Sequence, residues 1–537
     1  MKGCLRTVIG LTLVTVLAVL ICSATPTPSL ASAIPVLTYH YNNARTGANT
    51  NETILTPANV NVSHFGKLFS LPVDGGIYTQ PLYVPGLAIA GKVHNVVYVA
   101  TRNNSVYAFD ADNGATLWTR NLGPTQPPPP NCTSFGNVGI TGTPVISANS
   151  LYVVAPTLRN GLPARQELHA LDISTGAEQP DSPVVITAVR GTLTFNPRTE
   201  FQRPALLSDN GWIYVGFAAY CDYAPDSAQG HGWIFAYNAS TLQLESNFVV
   251  TPNGIGGGIW ASGGGPAADS HHHVYFSTGD GTFDVYRGGV NYADSILKLS
   301  SGSLSLLDYF TPSNQAYLES NSLDLGSGGI LLLPSQSTTS PNLVVTAGKQ
   351  GLIYLINRAN LGHYTSQVVQ ENPYIAGFFS TPTFWNNCLY FAGSDYSGDD
   401  SPKVFSFSAG RMSTNPISQA AEIYPYPGAV PVVSANGTNN GILWALQHGG
   451  TSSGNDILHA YDALNLANEL YNSDQVGIRD LPGVVGNQFE SIIVDNGKVY
   501  VPSTGQWQLS VYGLLARSLA SKRPAFHKGC RSCENPL

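Results

Sequence analysis

Charge is scarce in this chain: Lys, Arg, Asp and Glu make up 11% of its 537 residues, and the 33 acidic outnumber the 25 basic ones. No basic patch stands out, which argues against nucleic acid or an anionic membrane surface as the partner. Long apolar runs are missing as well. The one candidate, Val8 to Ile21, is too short to span a bilayer comfortably. It follows Lys2 and Arg6 and precedes Ala31-Ser32-Ala33, the layout of a secretory signal. The expected mature chain therefore starts near Ile34, is secreted or periplasmic, and keeps no membrane span after cleavage. Cys22 follows Ile21 rather than a small residue, which argues against a lipoprotein anchor. No Cys-x-x-Cys-His occurs, so there is no haem attachment site.

What is abundant is turn chemistry, with 55 Gly and 36 Pro. Between the turns lie short β-branched and aromatic runs. Thr79 to Trp118 reads as a meander of strands near Pro81 to Val84, Val96 to Thr101 and Val106 to Asp110, with Asp112-Asn113-Gly114 turning into a fourth near Leu117-Trp118. The pattern recurs: Leu151-Tyr152-Val153-Val154 with Leu168 to Asp172, Trp212 to Val215 with Ile234 to Asn238, and on to Val499-Tyr500-Val501 with Leu509 to Tyr512. Units of about 50 to 60 residues and four strands are propeller blades, and eight are predicted.

The last unit is one strand short. Lys67 to Val73 has strand character and no partner of its own, and pairing it with the last blade closes the ring and removes two exposed edges. The expected fold is thus an all-β, eight-bladed propeller. Its expected divisions are a signal at 1–33, a lead-in at 34–66 packed across the ring, the propeller at 67–515 and a polar tail at 516–537.

In blades whose strands A to D run outward from the axis, the B–C and D–A loops share one face. That face collects Arg102, Cys132, Asp222, Trp260, Asp280, Asp284, Asp324, Lys349, Asp395, His448 and Trp507. Carboxylates and a lysine converging there suit a divalent cation and a polar ligand, although a single loop Asp more often caps a turn. The run Gly254 to Gly265 either seats a ligand on the main chain or relieves crowding at the axis. His271-His272-His273 falls in an A–B turn on the opposite face. Cys132 and Cys221 share the loop face and are expected to form a disulfide. Cys388 reads as a small buried strand residue, and Cys530-Arg531-Ser532-Cys533 lies on the tail.

Ala108-Phe109-Asp110 through Gly114 to Trp118 is close to the motif A-x-D-x-x-T-G-x-x-x-W, and Ala170 to Gly176 matches its front half. With eight units, the chain resembles the quinoprotein alcohol dehydrogenases, propellers that hold pyrroloquinoline quinone (PQQ) and Ca²⁺ on the axis. The resemblance implies Asp222 and Asp280 as calcium ligands, Asp324 as catalytic base, Lys349 against the quinone oxygens, and Trp260 and Cys132 as cofactor contacts. Two departures count against a bound cofactor. The family's adjacent Cys-Cys is represented by Cys132 alone, and its stacking Trp after Gly-Gly-Gly is replaced by Pro266-Ala267-Ala268. The favoured reading is a secreted scaffold that binds a small molecule, glycan or protein on its loop face, with a degenerate cofactor site. The alternative is a PQQ- and Ca²⁺-dependent alcohol or sugar dehydrogenase.

Overall fold

The structure, a computed structural model, describes residues 33–129, 132, 136–220, 230–395, 398–449, 454–483 and 489–516. Residues 1–32 of the expected signal, Asp222, Cys221, Cys530 and Cys533 lie outside the described residues. Eight antiparallel sheets of about four strands form an eight-bladed β-propeller, and a separate hairpin pairs Val189–Arg190 with Leu193–Thr194. Blade one runs Leu82–Ile89, Lys92–Ala100, Ser105–Asp110 and Thr116–Asn121. The closing strand is Phe65–Pro72, antiparallel to Gln508–Leu514 of blade eight, so both ends of the ring lie in one sheet.

Turn and docking chemistry explain the motif. Asp110 Oδ1 accepts the amides of Asp112 and Asn113 at 2.9 and 3.2 Å, capping the turn between strands C and D, and Asp172 does the same for Ser174 and Thr175. Trp118 then docks on blade two. Its indole donates to Ile173 O at 3.0 Å, and a Cβ on Gly176 would stand 2.6 Å from the ring, so only glycine fits beneath it. Trp385, at the end of the innermost strand of blade six, lies against Gly441 in the second strand of blade seven, and its indole donates to Gly437 O at 2.8 Å.

Two outer strands depart from the regular plan. His363–Thr365 leaves blade five to run parallel to Leu306–Pro312 of blade four, with the His363 ring stacked 4.7 Å from Tyr309, and Gln370–Asn372 becomes the fourth strand of blade five. In blade six the outer strand is split into Arg411–Met412 and Ser418–Gln419.

The lead-in does more than cross the ring. Val36 exchanges backbone bonds with Tyr83 of blade one at 2.8 and 2.9 Å. The carbonyls of Leu37, Asn43, Ala44, Thr46 and Gly47 accept the amides of Ile146, Ala268, Leu332, Phe384 and Val433, in blades two, four, five, six and seven, at 2.8 to 2.9 Å. Asn43 Nδ2 donates to Ser208 O of blade three at 2.8 Å, and Asn49 Nδ2 to Val494 O of blade eight at 2.9 Å. One segment therefore touches all eight innermost strands.

At its centre lies Arg45, fully buried. Its guanidinium donates to Pro266 O at 2.7 and 3.0 Å, Leu206 O at 3.3 Å, Thr38 Oγ1 at 2.6 Å and Tyr39 O at 2.9 Å. Burial pushes its pKa down to about 9, yet it stays protonated at neutral pH. The neighbouring His40, stacked 4.4 Å from Tyr39, is pushed down to about 3 by burial and is neutral. Positive φ at His40, Tyr41 and Arg45 (53°, 68° and 65°) bends the chain around this hub. Arg45→Met leaves the carbonyls of Pro266, Leu206 and Tyr39 without this donor. It is expected to cost about 3 to 5 kcal/mol of stability in denaturant unfolding, with the far-UV spectrum of the folded state retained.

Candidate functional site

The loop face of blades four and five gathers the acidic residues. The B–C loop of blade four, between Val274–Ser277 and Ile296–Leu299, carries Asp280 and Asp294. The connection from blade four to blade five carries the short helix Gln315–Ser320, with Glu319, and then Asp324. The B–C loop of blade five, between Leu343–Ala347 and Ile353–Asn357, supplies Lys349.

Asp324 is buried, its Oδ1 accepts Asp280 N at 2.7 Å, and its Oδ2 pairs with the Lys349 ammonium. Lys349 N also donates to Asp324 O at 3.0 Å, so the pair is fixed at both backbone and side chain. Sequence reasoning placed these two residues on one face, and the structure puts them in contact.

The Asp280 side chain points to a second group. Its carboxylate and those of Asp294 and Glu319 bring ligand oxygens within 4.8 Å of one another. Asp294 is fully buried, taking Leu325 N at 3.1 Å and Gln315 Nε2 at 3.2 Å, and Glu319 Oε2 takes Gly281 N at 2.5 Å. Burial and the Asp324 and Asp294 carboxylates push Asp280 up to about 10, against the opposing pull of Lys349. Burial raises Asp294 well above the carboxylate range, and burial with the nearby Asp324 raises Glu319. Lys349 is engaged by Asp324, so three carboxylates converge where a cation would relieve their mutual repulsion. Sequence reasoning found Asp280 and missed the other two. A faint signal for Glu319 exists: Gln315 and Glu319 stand i, i+4 on one helical face, and both reach the cluster.

The remaining candidates are elsewhere or differently engaged. Trp260 is half-buried and packs against the buried cluster of Cys132, Val138, Phe201 and Tyr220, with the Phe201 ring edge-on at 5.8 Å. Cys132 is disulfide-bonded, its partner lying outside the described residues, and Cys388 is a buried free thiol. Asp284 closes its own loop through Asn291, at 3.0 Å to its amide and 2.6 Å to its side chain. His448 is buried between Asp456 at 3.6 Å and Glu490 at 3.5 Å. Arg102 donates to Asn137 O and Tyr78 OH, and with Asp74, Thr504 and the exposed Trp507 it lines a cavity of about 390 Å³ on the same face.

On the opposite face Asp269, His271 and His273 bring ligand atoms within 4.8 Å, but Asp269 Oδ1 also caps the turn by accepting the amides of His271 and His273. The glycine run resolves toward crowding. A Cβ at Gly256 would stand 2.4 Å from Asp280 O, at Gly263 2.7 Å from the Arg203 guanidinium, and at Gly265 2.4 Å from Ala205 O. These glycines make room for the protein's own atoms.

No protein-family model matches the chain, and no curated protein matches it. Solved structures do. The quinohemoprotein alcohol dehydrogenase of Comamonas testosteroni aligns at a TM-score of 0.59 and 14% identity, over 89% of this chain and 80% of its own. A europium-containing methanol dehydrogenase aligns at 0.58 and 13%, over 89% and 98%. The quinohemoprotein alcohol dehydrogenase ADHIIG of Pseudomonas putida HK5 aligns at 0.58 and 12%, over 89% and 80%. At such identities the likeness is one of fold: this chain shares the eight-bladed propeller of the quinoprotein dehydrogenases.

A cation entering the cluster must displace the protons that burial holds on Asp280 and Asp294. Calcium binding is therefore expected to release protons and to tighten as pH rises from 6 toward 9, which calorimetry in buffers of different ionisation enthalpy measures. The contribution of these carboxyls to the stability of the metal-free protein runs the opposite way. The unfolded carboxyls ionise near pH 4 while the raised folded ones hold their protons longer, so this contribution falls as pH rises from about 4 toward the folded value of about 10 for Asp280. Asp280→Asn is expected to flatten that slope.

Proposed function

We propose that this protein is a ligand-binding propeller whose loop face holds a divalent cation at Asp280, Asp294 and Glu319, beside the Asp324–Lys349 pair, and takes a polar small molecule or glycan there. The observation that carries this reading is the convergence of three carboxylates next to a lysine already neutralised by Asp324. The all-oxygen donor set suits Ca²⁺ or a similar hard ion, which keeps positions open for ligand hydroxyls. Asp324, an acceptor for both Lys349 and Asp280 N, orients the rim of the site.

The donor set fits a cation better than it fits a planar cofactor. In this chain Cys132 and Trp260 belong to one packed group with Phe201 and Tyr220, rather than standing as two walls with a slot between them.

The alternative, a PQQ- and Ca²⁺-dependent dehydrogenase with Asp324 as base and Lys349 against the quinone, is favoured by one observation, the contact between those two residues. Titration of metal-stripped protein with Ca²⁺, then with PQQ, separates the readings. The binding reading expects Ca²⁺ to raise the melting temperature, an effect lost in Asp280→Asn/Glu319→Gln, with no PQQ uptake. Calcium-dependent micromolar PQQ binding, with dye-linked turnover lost in Asp324→Asn, would establish the dehydrogenase instead. Absence of any Ca²⁺ effect would overturn the cation centre.

A further inference from the structure

Two buried carboxylates lie where the lead-in meets blade eight. Asp495, at the end of the innermost strand Ile493–Asp495, and Glu52 are each 1% exposed. Glu52 is satisfied: Oε1 takes the amides of Ile54 and Leu55 at 2.6 and 3.0 Å, and Oε2 takes Gly497 N at 2.9 Å. Asp495 is not. Its Oδ2 takes Asn49 Nδ2 at 2.9 Å, while Oδ1, buried, has no hydrogen-bond partner.

Among the described residues neither acid forms an ion pair. The nearest cation, Lys498, puts its ammonium 2.8 Å from Asp112 instead. The other titratable groups facing Asp495 are the phenols of Tyr41, Tyr83 and Tyr500. Burial and the Glu52 carboxylate push Asp495 up to about 8 against the pull of Lys498, and among the described residues no positive charge is paired with it.

One group is placed to supply it. The backbone N–H of Ile34 faces the Asp495 carboxyl, short of a full hydrogen bond, and favours its charged form. Ile34 is half-buried and stands two residues before Val36, whose backbone bonds to Tyr83 anchor the lead-in. The residues before it, Ala31-Ser32-Ala33, are the small-residue pattern that a leader-cleaving protease accepts. Two unrelated observations, a cleavage pattern and a buried unpartnered oxygen, thus meet at the bond between Ala33 and Ile34.

We propose that this bond is the processing site, and that the α-ammonium freed on Ile34 becomes the counter-ion of Asp495, locking the lead-in onto blade eight. Hydrolysis by a leader peptidase consumes one water, leaves a carboxylate on Ala33 and an ammonium on Ile34, and changes no oxidation state. Before cleavage Ile34 offers Asp495 one neutral amide hydrogen. Afterwards it offers a full charge and three donors, which the buried Asp495 and the neighbouring Glu52 favour. Processing and anchoring of the lead-in to blade eight are then coupled, because the charge that completes the site exists only in the cut chain.

The test compares two forms of the chain, one beginning at Ile34 and released from a cleavable fusion, the other carrying Gly-Ser before Ile34, each with and without Asp495→Asn. The expected result is a higher melting temperature for the Ile34 form, a difference that disappears in the Asp495→Asn pair. Reductive ¹³C-methylation followed by NMR should show the Ile34 amine titrating at least about one unit above the ordinary α-amino range of about 7.7 to 8.0, and back within it in Asp495→Asn. Equal melting temperatures for the two forms, or an Ile34 amine that titrates in the ordinary range, would overturn the proposal. So would recovery of the secreted chain, expressed with its own leader, starting at any residue other than Ile34.

Discussion

The constraint on which the structure depends is the unpaired edge of eight innermost strands. A propeller turns those edges inward, where their backbone groups need partners and water is poorly admitted. Here the partner is the protein's own lead-in, which supplies carbonyls to the amides of five blades in turn and reaches the other three through Val36, Asn43 and Asn49. A regular strand could not do this, because each blade presents its edge in a different direction. The chain therefore bends through left-handed backbone at His40, Tyr41 and Arg45, and the Arg45 guanidinium, with five donors in a fixed fork, spans the remaining gaps. The strain and the buried charge are tolerable because the guanidinium bonds close on Pro266 O and Leu206 O of the blades and on Thr38 and Tyr39 of the lead-in itself.

The same economy shapes the loop face. Glycine does not open the axis for a ligand there. It lets the loops of blades three to five approach one another, and the acidic groups meet as a result. Asp280 illustrates it: its carbonyl lies within a Cβ's reach of Gly256, its amide is held by Asp324, and its carboxylate is left facing Asp294 and Glu319. Close packing that fixes the backbone on both sides of a carboxylate also fixes its orientation. Repulsion among the three acids then cannot be relieved by rotation, only by protonation or by a cation.

The fold was legible because its signals are local. The Asp110 turn and the docking of Trp118 on Gly176 recur at blade intervals, and the orphan strand Phe65–Pro72 had one place to go. Sorting loops by face followed from topology alone, which is why Asp324 and Lys349 were found together. Asp294 and Glu319 were not legible, since a lone acid in a loop or on a six-residue helix looks like any solvated carboxylate, and only tertiary packing makes it a neighbour of Asp280. The hub was invisible for a related reason: the lead-in from Val36 to Asn49 has no periodicity, because its partners are eight different strands rather than one. For Trp260 and Cys132, residue identity could not show that Phe201 and Tyr220 share their space.

Hub and site are joined by a short chain of bonds. Arg45 holds the carbonyl of Pro266, next to the glycine turn that ends in Gly265. Within that turn Ser262 Oγ donates to Ser327 O at 2.5 Å, and Ser327 Oγ donates to the carbonyls of Asp324 at 3.0 Å and Phe378 at 2.7 Å. Each link is a buried hydroxyl or guanidinium on a backbone oxygen. The backbone of Asp324 is thus located from the axis outward, and its carboxylate from the loop side by Asp280 N and Lys349. A side chain fixed from two directions loses little further freedom when a ligand arrives. The lead-in, far from the acidic cluster in sequence, is in this sense part of the site's foundation.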